Sequence, residues 1–407
     1  MNEVEQLLNE LGYTGDQIKK ITSSYPLDRY YLSSLKNKIL LIYNLLIQIG
    51  FTKAEIIRMT IKFPSIYGKK DISIEEKLAF LKSLKFTKKE ILAIINFYPN
   101  ILGFSTSSMK QKLIYLYHLG YKKEKIIKIV KNWPQIFAFN IDSINNKLSF
   151  LETRGFSHEE AIHITEEAPS IIGITKEYII QNYNYYVSIG LSKDDYHKII
   201  TTCPQIIEYD TNSIEEKINQ ITSLGYDRKT VIIFIVKVPS LLGYKIDTIK
   251  SKLDLLQELG FSMEESINIT RKFPHIFTLD TSNIKESFEK LMTLGYSLSE
   301  VTYMVKELPT ILGLSFQTIQ EKFSFYDSIG FHDVMAKKPK NLMQGINLSF
   351  ARYMFFKEHG ILLDSDNYQK LFMGNVNFER VYKISKEDLI QKYPYNKNRS
   401  KEDGTIN

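Results

Sequence analysis

Eight of the eleven prolines stand 35 residues apart, at Pro64, Pro99, Pro134, Pro169, Pro204, Pro239, Pro274 and Pro309. A period this strict means a tandem array, in which each unit is too small to bury its own apolar face and must stack on its neighbours. The glycines keep the same step. They fall at Gly50, Gly120, Gly155, Gly190, Gly225, Gly260, Gly295 and Gly330, with Lys85 in the remaining slot.

Each unit reads as helix, turn, helix and short turn. About ten residues after each proline an apolar series begins, such as Met109, Leu113, Leu116 and Leu119, or Ile249, Leu253, Leu256 and Leu259. Steps of four and three put these side chains on one helical face. The helix ends at a glycine-aromatic pair, Gly120-Tyr121 or Gly260-Phe261, where glycine can take the left-handed conformation that closes a helix. A second helix follows, often behind a capping box: Thr52 with Glu55, Thr87 with Glu90, Ser157 with Glu160, Ser262 with Glu265, Ser297 with Glu300. A bulky residue (Phe63, Tyr98, Trp133, Phe273, Leu308) then precedes the proline. The proline stops the helix by pushing that residue out of the α region. Two apolar residues after it, as in Ile136-Phe137, predict one turn of 3₁₀ helix folded back onto the pair.

A weaker alternation of two units runs on top. Gly103, Gly173, Gly243 and Gly313 lie four residues after their prolines, where the intervening units have Ala138, Glu208 and Thr278. Those units carry Asn140, Asp210 and Asp280 two residues later, as expected helix caps or turn residues.

Composition narrows the class. The chain of 407 residues is 43% hydrophobic and 24% charged, as in a folded soluble protein. Its longest apolar patches, Ile39–Gly50 and Thr230–Gly243, are too short or too interrupted to span a bilayer. Cys203 is the single cysteine, which excludes an internal disulfide or CxxC metal site. It occupies the slot of Phe63 and Trp133, as a small core residue rather than a nucleophile. The seven histidines occupy unrelated repeat slots, and no P-loop, GxSxG or dinucleotide glycine pattern occurs. No catalytic residue and no cofactor are expected. The acidic, helix-patterned start, with Glu3, Glu5 and Glu10, is neither a secretory signal nor an Arg-rich transit peptide.

The net charge of +7 is unevenly spread. Phe51–Asn140 holds 17 Lys/Arg against 6 Asp/Glu, net +11, whereas Ile141–Val236 holds 8 against 14, net −6. A strongly basic region points to a polyanion partner.

Three sets of cations are candidates. Thirteen residues after each proline lysine recurs, at Lys77, Lys112, Lys147, Lys217, Lys252 and Lys322, with Asn182 and Ser287 in the other two slots. These are either stems that cover the core while the ammonium reaches water, or a ladder of positive charge with one rung per unit. Stacked helices lie ~8–10 Å apart and phosphates of one strand ~3.4 Å apart along a duplex, so a rung would meet roughly every second or third phosphate. The second set ends the second helices: Lys62, Lys131, Lys237, Arg271, Lys272 and Lys306. A favourable interaction with the negative helix end explains these better than a ligand does. The third is the cluster Lys122, Lys123, Lys125, Lys128 and Lys131, either a solvated face or a phosphate contact.

The unit L-G-[YF], S/T-x-x-E, I-x-x-I, P-x-[IL]-[LIF] resembles the mTERF family, the mitochondrial transcription termination factors and their relatives. The best instances are Leu119–Phe137 and Leu259–Phe277, and the resemblance covers about Leu11 to Gly330. Asn341–Ile361, with Arg352, is similar to that family's closing segment. The resemblance implies an all-α fold, a right-handed α-solenoid of about nine 35-residue units with nucleic acid on a basic concave side. The expected organisation is a capping unit at 1–37, tandem repeats at 38–330, a C-terminal cap at 331–394 and a polar tail at 395–407. The resemblance also implies Arg352 as a nucleic-acid contact. The expected partner is double-stranded DNA first and RNA second, with no membrane, a monomeric state, and a role in transcription termination or regulation. The competing expectations are an RNA-binding factor in ribosome assembly or intron splicing, and a protein-binding scaffold. By resemblance the location is a mitochondrion or other organelle; without a visible transit peptide, a bacterial or other cytoplasmic one stays open.

Overall fold

Every proline of the array starts a five-residue 3₁₀ turn, from Pro64–Gly68 to Pro309–Gly313, and Pro339–Met343 adds a ninth. The residue before each proline has left the α region, as Trp133 shows with φ −140° and ψ 64°. The computed structural model describes residues 3–25, 29–364 and 366–395. Pro26 of the expected N-terminal unit and all but the first residue of the expected tail lie outside these. Among the described residues there are 23 α-helices, ten 3₁₀ turns and no strand. The fold is all-α and built from helical repeats, as the proline register predicts.

The chain forms two compact units, Met1–Ser188 with Ser192–Tyr209, and Ile189–Leu191 with Asp210–Asn407. Within each, first helices contact first helices and second helices contact second helices of the next repeat. The repeat around Trp133 shows the local logic. Its first helix, Thr106–His118, closes in a Schellman motif: Tyr121 N–H donates to Leu116 O at 3.1 Å and Gly120 N–H to Tyr117 O at 3.0 Å. Gly120 has φ +105°, which excludes most side chains. The second helix, Lys123–Asn132, buries Ile126, Ile129 and Val130, and the 3₁₀ turn Pro134–Ala138 buries Ile136 and Phe137 against the pair. The expected capping boxes all form, and Ser192 with Asp195 forms another. Asn140 and Asp210 accept cap hydrogen bonds; Asp280 does not.

The aromatic residue after the turn glycine also sets which repeat follows. Tyr121 Oη lies 2.6 Å from Thr165 Oγ1, Tyr226 Oη 2.6 Å from Thr270 Oγ1, and Tyr13 Oη 2.8 Å from Thr60 Oγ1, all buried. Where the turn carries phenylalanine, the residue 44 positions on is aliphatic: Phe51 with Ile95, Phe86 with Val130, Phe156 with Ile200, Phe261 with Val305. A buried hydroxyl without a partner is costly, so the paired hydroxyls and the paired apolar groups are each self-consistent.

The alternation of two repeats has a packing cause. A Cβ on Gly103 would come within 3.0 Å of the Phe63 ring, one on Gly173 within 3.0 Å of Phe139, and one on Gly313 within 2.8 Å of Phe273. Glycine stands where an aromatic ring of the preceding repeat lies against the 3₁₀ turn.

Four of the lysines thirteen residues after the prolines fasten their repeats from inside. Lys112 Nζ donates to Phe137 O at 2.8 Å and to Phe139 O, and Lys217 Nζ to Tyr244 O at 2.6 Å. Lys147 reaches Ile174 O, and Lys322 reaches Leu342 O and, at 3.1 Å, Gln344 O. Each bond joins the first helix of a repeat to the end of its own 3₁₀ turn, whose carbonyls the short helix leaves unpaired. Asn182 does the same with its amide, donating to Ile206 O at 3.4 Å and Tyr209 O at 3.3 Å.

Two outcomes are expected. Lys112→Met keeps the stem but orphans buried carbonyls, and should lower stability by ~1–3 kcal/mol in denaturant unfolding. Thr165→Val should cost ~1–3 kcal/mol by stranding the Tyr121 hydroxyl, and Tyr121→Phe less, since Thr165 still donates to Ala161 O at 2.9 Å. The double variant, which recreates the Phe86–Val130 arrangement, should cost less than the sum of the two; strict additivity would show that the hydroxyls do not interact.

Candidate nucleic-acid interface

The structure places the thirteenth-position lysines inside the protein. Lys77, Lys112, Lys147 and Lys252 are 5–7% exposed, and Lys217 and Lys322 half-buried. The ammoniums of Lys112, Lys147, Lys217 and Lys322 are held by main-chain carbonyls, and Lys77 Nζ donates to Ser73 Oγ at 2.7 Å. Burial lowers the pKa of Lys112, Lys147, Lys252 and Lys322. Stems that carry their charge to water and a ladder that presents it to phosphate are both replaced by an internal fastening.

Arg352 belongs to the same class. It stands thirteen residues after Pro339, is 1% exposed, and donates to Leu371 O at 3.0 Å, Met373 O and Asn375 Oδ1 at 2.9 Å. Its guanidinium also lies 4.4 Å from the centre of the Phe378 ring, and burial brings its pKa down to about 10. In place of a nucleic-acid contact it is the clasp of the C-terminal segment, whose core is built by Phe355, Phe356, Phe378 and Leu389.

The lysine cluster divides in two. Lys125 and Lys128 both pair with Glu167 of the next repeat, the latter at 3.5 Å, and Lys131 pairs with Glu90 of the preceding one at 2.7 Å. The Lys131 hydrogen bond, with the Thr87 cap, pulls the Glu90 pKa down to about 2. These three cations knit neighbouring second helices together. Lys122 and Lys123 stay exposed and make no ion pair among the described residues. The cations ending the second helices are engaged in part: Lys272 donates to Lys306 O at 2.7 Å, Lys306 pairs with Glu265 at 2.9 Å, and Arg271 lies 3.7 Å from Asp227.

Lys123 leads to a set that sequence reasoning missed. It opens its helix, and the first position of each second helix, eleven residues before the proline, reads Lys53, Lys88, Lys123, His158, Lys193 and Arg228, then Met263 and Leu298. The signal was as periodic as the thirteenth-position one and was masked by the capping residues around it. Lys53, Lys88, Lys123 and Lys193 are exposed, lie in the first compact unit, and make no ion pair among the described residues. His158, in the fourth place, is held by Glu152 at 2.6 Å, which raises its pKa. In the second unit Arg228 is neutralised by two bonds to Glu215, at 2.6 and 2.8 Å.

Each opens its own helix against the dipole, a cost of ~0.3–1 kcal/mol. The ammoniums of Lys53, Lys88 and Lys193 meanwhile lie 2.9, 3.5 and 3.8 Å from where a Cβ on Gly12, Gly50 and Gly155 would stand, at the negative end of the preceding repeat's first helix. Lys85 adds to the row. It fills the turn slot otherwise held by glycine, at φ 68°, among exposed residues, where an L-residue costs ~1–2 kcal/mol. The row is a line of unneutralised charge along the turn edge of the first unit, suited to an extended polyanion.

The mTERF family model matches the chain in three overlapping segments, residues 1–154, 109–219 and 209–330. No curated protein matches it. The match spans the whole array of proline-started turns and implies a helical-repeat protein of the nucleic-acid-binding kind. The chain belongs to the mTERF family.

Proposed function

We propose that the protein binds double-stranded DNA along the exposed row Lys53, Lys88, Lys123 and Lys193, flanked by Lys85 and Lys122, and acts in transcription termination or regulation in an organelle. The observation that carries this reading is that row: periodic, exposed and without an ion pair among the described residues. Its spacing follows the stacking of the repeats, ~8–10 Å per rung, so one rung serves roughly every second or third phosphate of a strand. Such contacts give affinity and salt dependence rather than choice of sequence. The protein works as a binding array without catalysis, as a monomer. RNA is the second reading, since the same row would serve any phosphate backbone.

The test is a salt titration of affinity for duplex DNA and for structured RNA. Each lysine that neutralises a phosphate contributes about −0.9 to the slope of log K against log salt on a duplex. Replacing Lys53, Lys88, Lys123 and Lys193 together by glutamine should flatten the slope by about 3–4 and weaken all duplex sequences alike. Neither nucleic acid binding at ~50 mM salt would contradict the reading and leave a protein-binding scaffold; RNA binding about tenfold tighter than duplex would shift it to RNA.

Lys85→Gly should separate folding from binding. The variant should be more stable by up to ~1 kcal/mol, because a strained left-handed residue is relieved. It should also bind duplex DNA with a slope shallower by about 0.9.

A further inference from the structure

Two neighbouring repeats each depart from the array where they meet, and a cavity opens there. The residue before the turn glycine is leucine or isoleucine in every other repeat, from Leu11 to Ile329; here it is Arg154. The fifth residue of the second helix is aliphatic in six of the seven other 35-residue repeats and Thr302 in the last; here it is His197. At Gly120 and Gly225 that aliphatic side chain packs closely over the preceding turn, whereas at Gly190 nothing comes within 4 Å. Ile162 Cδ1 lies 3.1 Å from where a Cβ on Gly120 would stand, and Ile267 Cδ1 2.8 Å from one on Gly225. At Gly155 no such plug is present. His197 instead stacks flat on Phe156, ring centres 4.6 Å apart, and pairs with Glu160 at 3.2 Å. Lys193 Nζ comes nearest, 3.8 Å from the position of a Gly155 Cβ.

The result is a cavity of about 170 Å³ inside the first compact unit. Its walls are mostly apolar and aromatic, formed by Leu151, Phe156, Ile179, Tyr183, Tyr196 and His197. Arg154 and Lys193, both exposed, supply its positive charge. A cavity of ~150 Å³ holds one benzene ring, so this one matches a single six-membered ring in size. Two cations beside an aromatic slot select a ring that carries an anion.

We propose that this cavity binds a pyrimidine nucleotide, its ring against Tyr183 and His197 and its phosphate on Arg154 and Lys193. The choice of phosphate rests on the nucleic-acid reading, because Lys193 is also a rung of the exposed row. The nucleotide is either free or an unpaired residue of a strand.

Calorimetric titration of the full chain with CMP, UMP, AMP and inorganic phosphate, and with single-stranded pyrimidine and purine oligonucleotides of equal length, tests this. CMP or UMP should bind saturably and at least about tenfold tighter than AMP, or the pyrimidine strand should exceed the purine strand by that factor. The first outcome assigns a free nucleotide and the second a residue within a strand. Arg154→Leu and His197→Ile restore the residue types of the other repeats and so should fold. His197→Ile should abolish the preference and raise the melting temperature by refilling the groove, and Arg154→Leu should weaken every nucleotide by a similar factor. No pyrimidine preference in either arm, a preference that survives His197→Ile, or affinity unchanged by Arg154→Leu overturns the proposal. Duplex binding measured on the same samples separates the two readings. A duplex that binds without any pyrimidine preference removes only this site. A free pyrimidine nucleotide that binds when no duplex does leaves this site standing and removes the DNA reading.

Discussion

An ammonium group buried against the carbonyls of a 3₁₀ turn is the interaction on which the repeat depends. The proline ends the second helix and begins a turn too short to satisfy its own last carbonyls. Lysine thirteen residues after the preceding proline brings three donors to those carbonyls from the first helix, and its four-carbon stem crosses the apolar core to reach them. A buried charge is tolerated because it is hydrogen-bonded to main-chain carbonyls. Asn182 and Arg352 show that the requirement is for donors rather than for lysine. The amide serves with weaker bonds, and the guanidinium does the same work for the closing segment.

Once the turn is fastened, the faces of the repeat have distinct tasks. The residue after the turn glycine faces the next second helix and matches hydroxyl to hydroxyl or ring to aliphatic chain. The 3₁₀ edge receives aromatic rings from the preceding repeat wherever it offers glycine. Charges on the flanks of second helices pair between repeats, as Lys131 does with Glu90 and Lys306 with Glu265. Among the described residues the turn edge of the first unit carries exposed lysines without an ion pair, as do Lys62, Lys82, Lys89 and Lys110 elsewhere on that unit. In this fold unneutralised charge is therefore more informative than total charge. Of the five clustered lysines, three serve the stack and two face solvent.

The fold was legible because each device that builds it is local and repeats. Proline, turn glycine and capping box each act within a few residues, and all three appear in the chain at one period. The site was legible only in part. Lys112 and Lys123 recur with equal regularity, and periodicity alone cannot say that one side chain turns inward to carbonyls while the other opens a helix in solvent. Helix position could have said so. A residue on the apolar arc beside Leu113 belongs to the core, whereas Lys123, at the first position of its helix, lies off that arc and is exposed. Arg352 was misplaced because its segment follows a shortened repeat, which hid that it stands thirteen residues after Pro339. The cavity at Arg154 was hidden for the opposite cause, since it is written in departures from the repeat rather than in the repeat itself.

The central claim is that charge for the ligand lies on the exposed row and charge for the fold lies at the thirteenth position. Amine labelling of native protein, read lysine by lysine by mass spectrometry with and without duplex DNA, tests it most directly. Lys53, Lys88, Lys123 and Lys193 should label readily and become protected by DNA, while Lys112, Lys147 and Lys322 stay unreactive in both states. Ready labelling of Lys112, Lys147 and Lys322 in the free protein, with protection by DNA, would contradict the account.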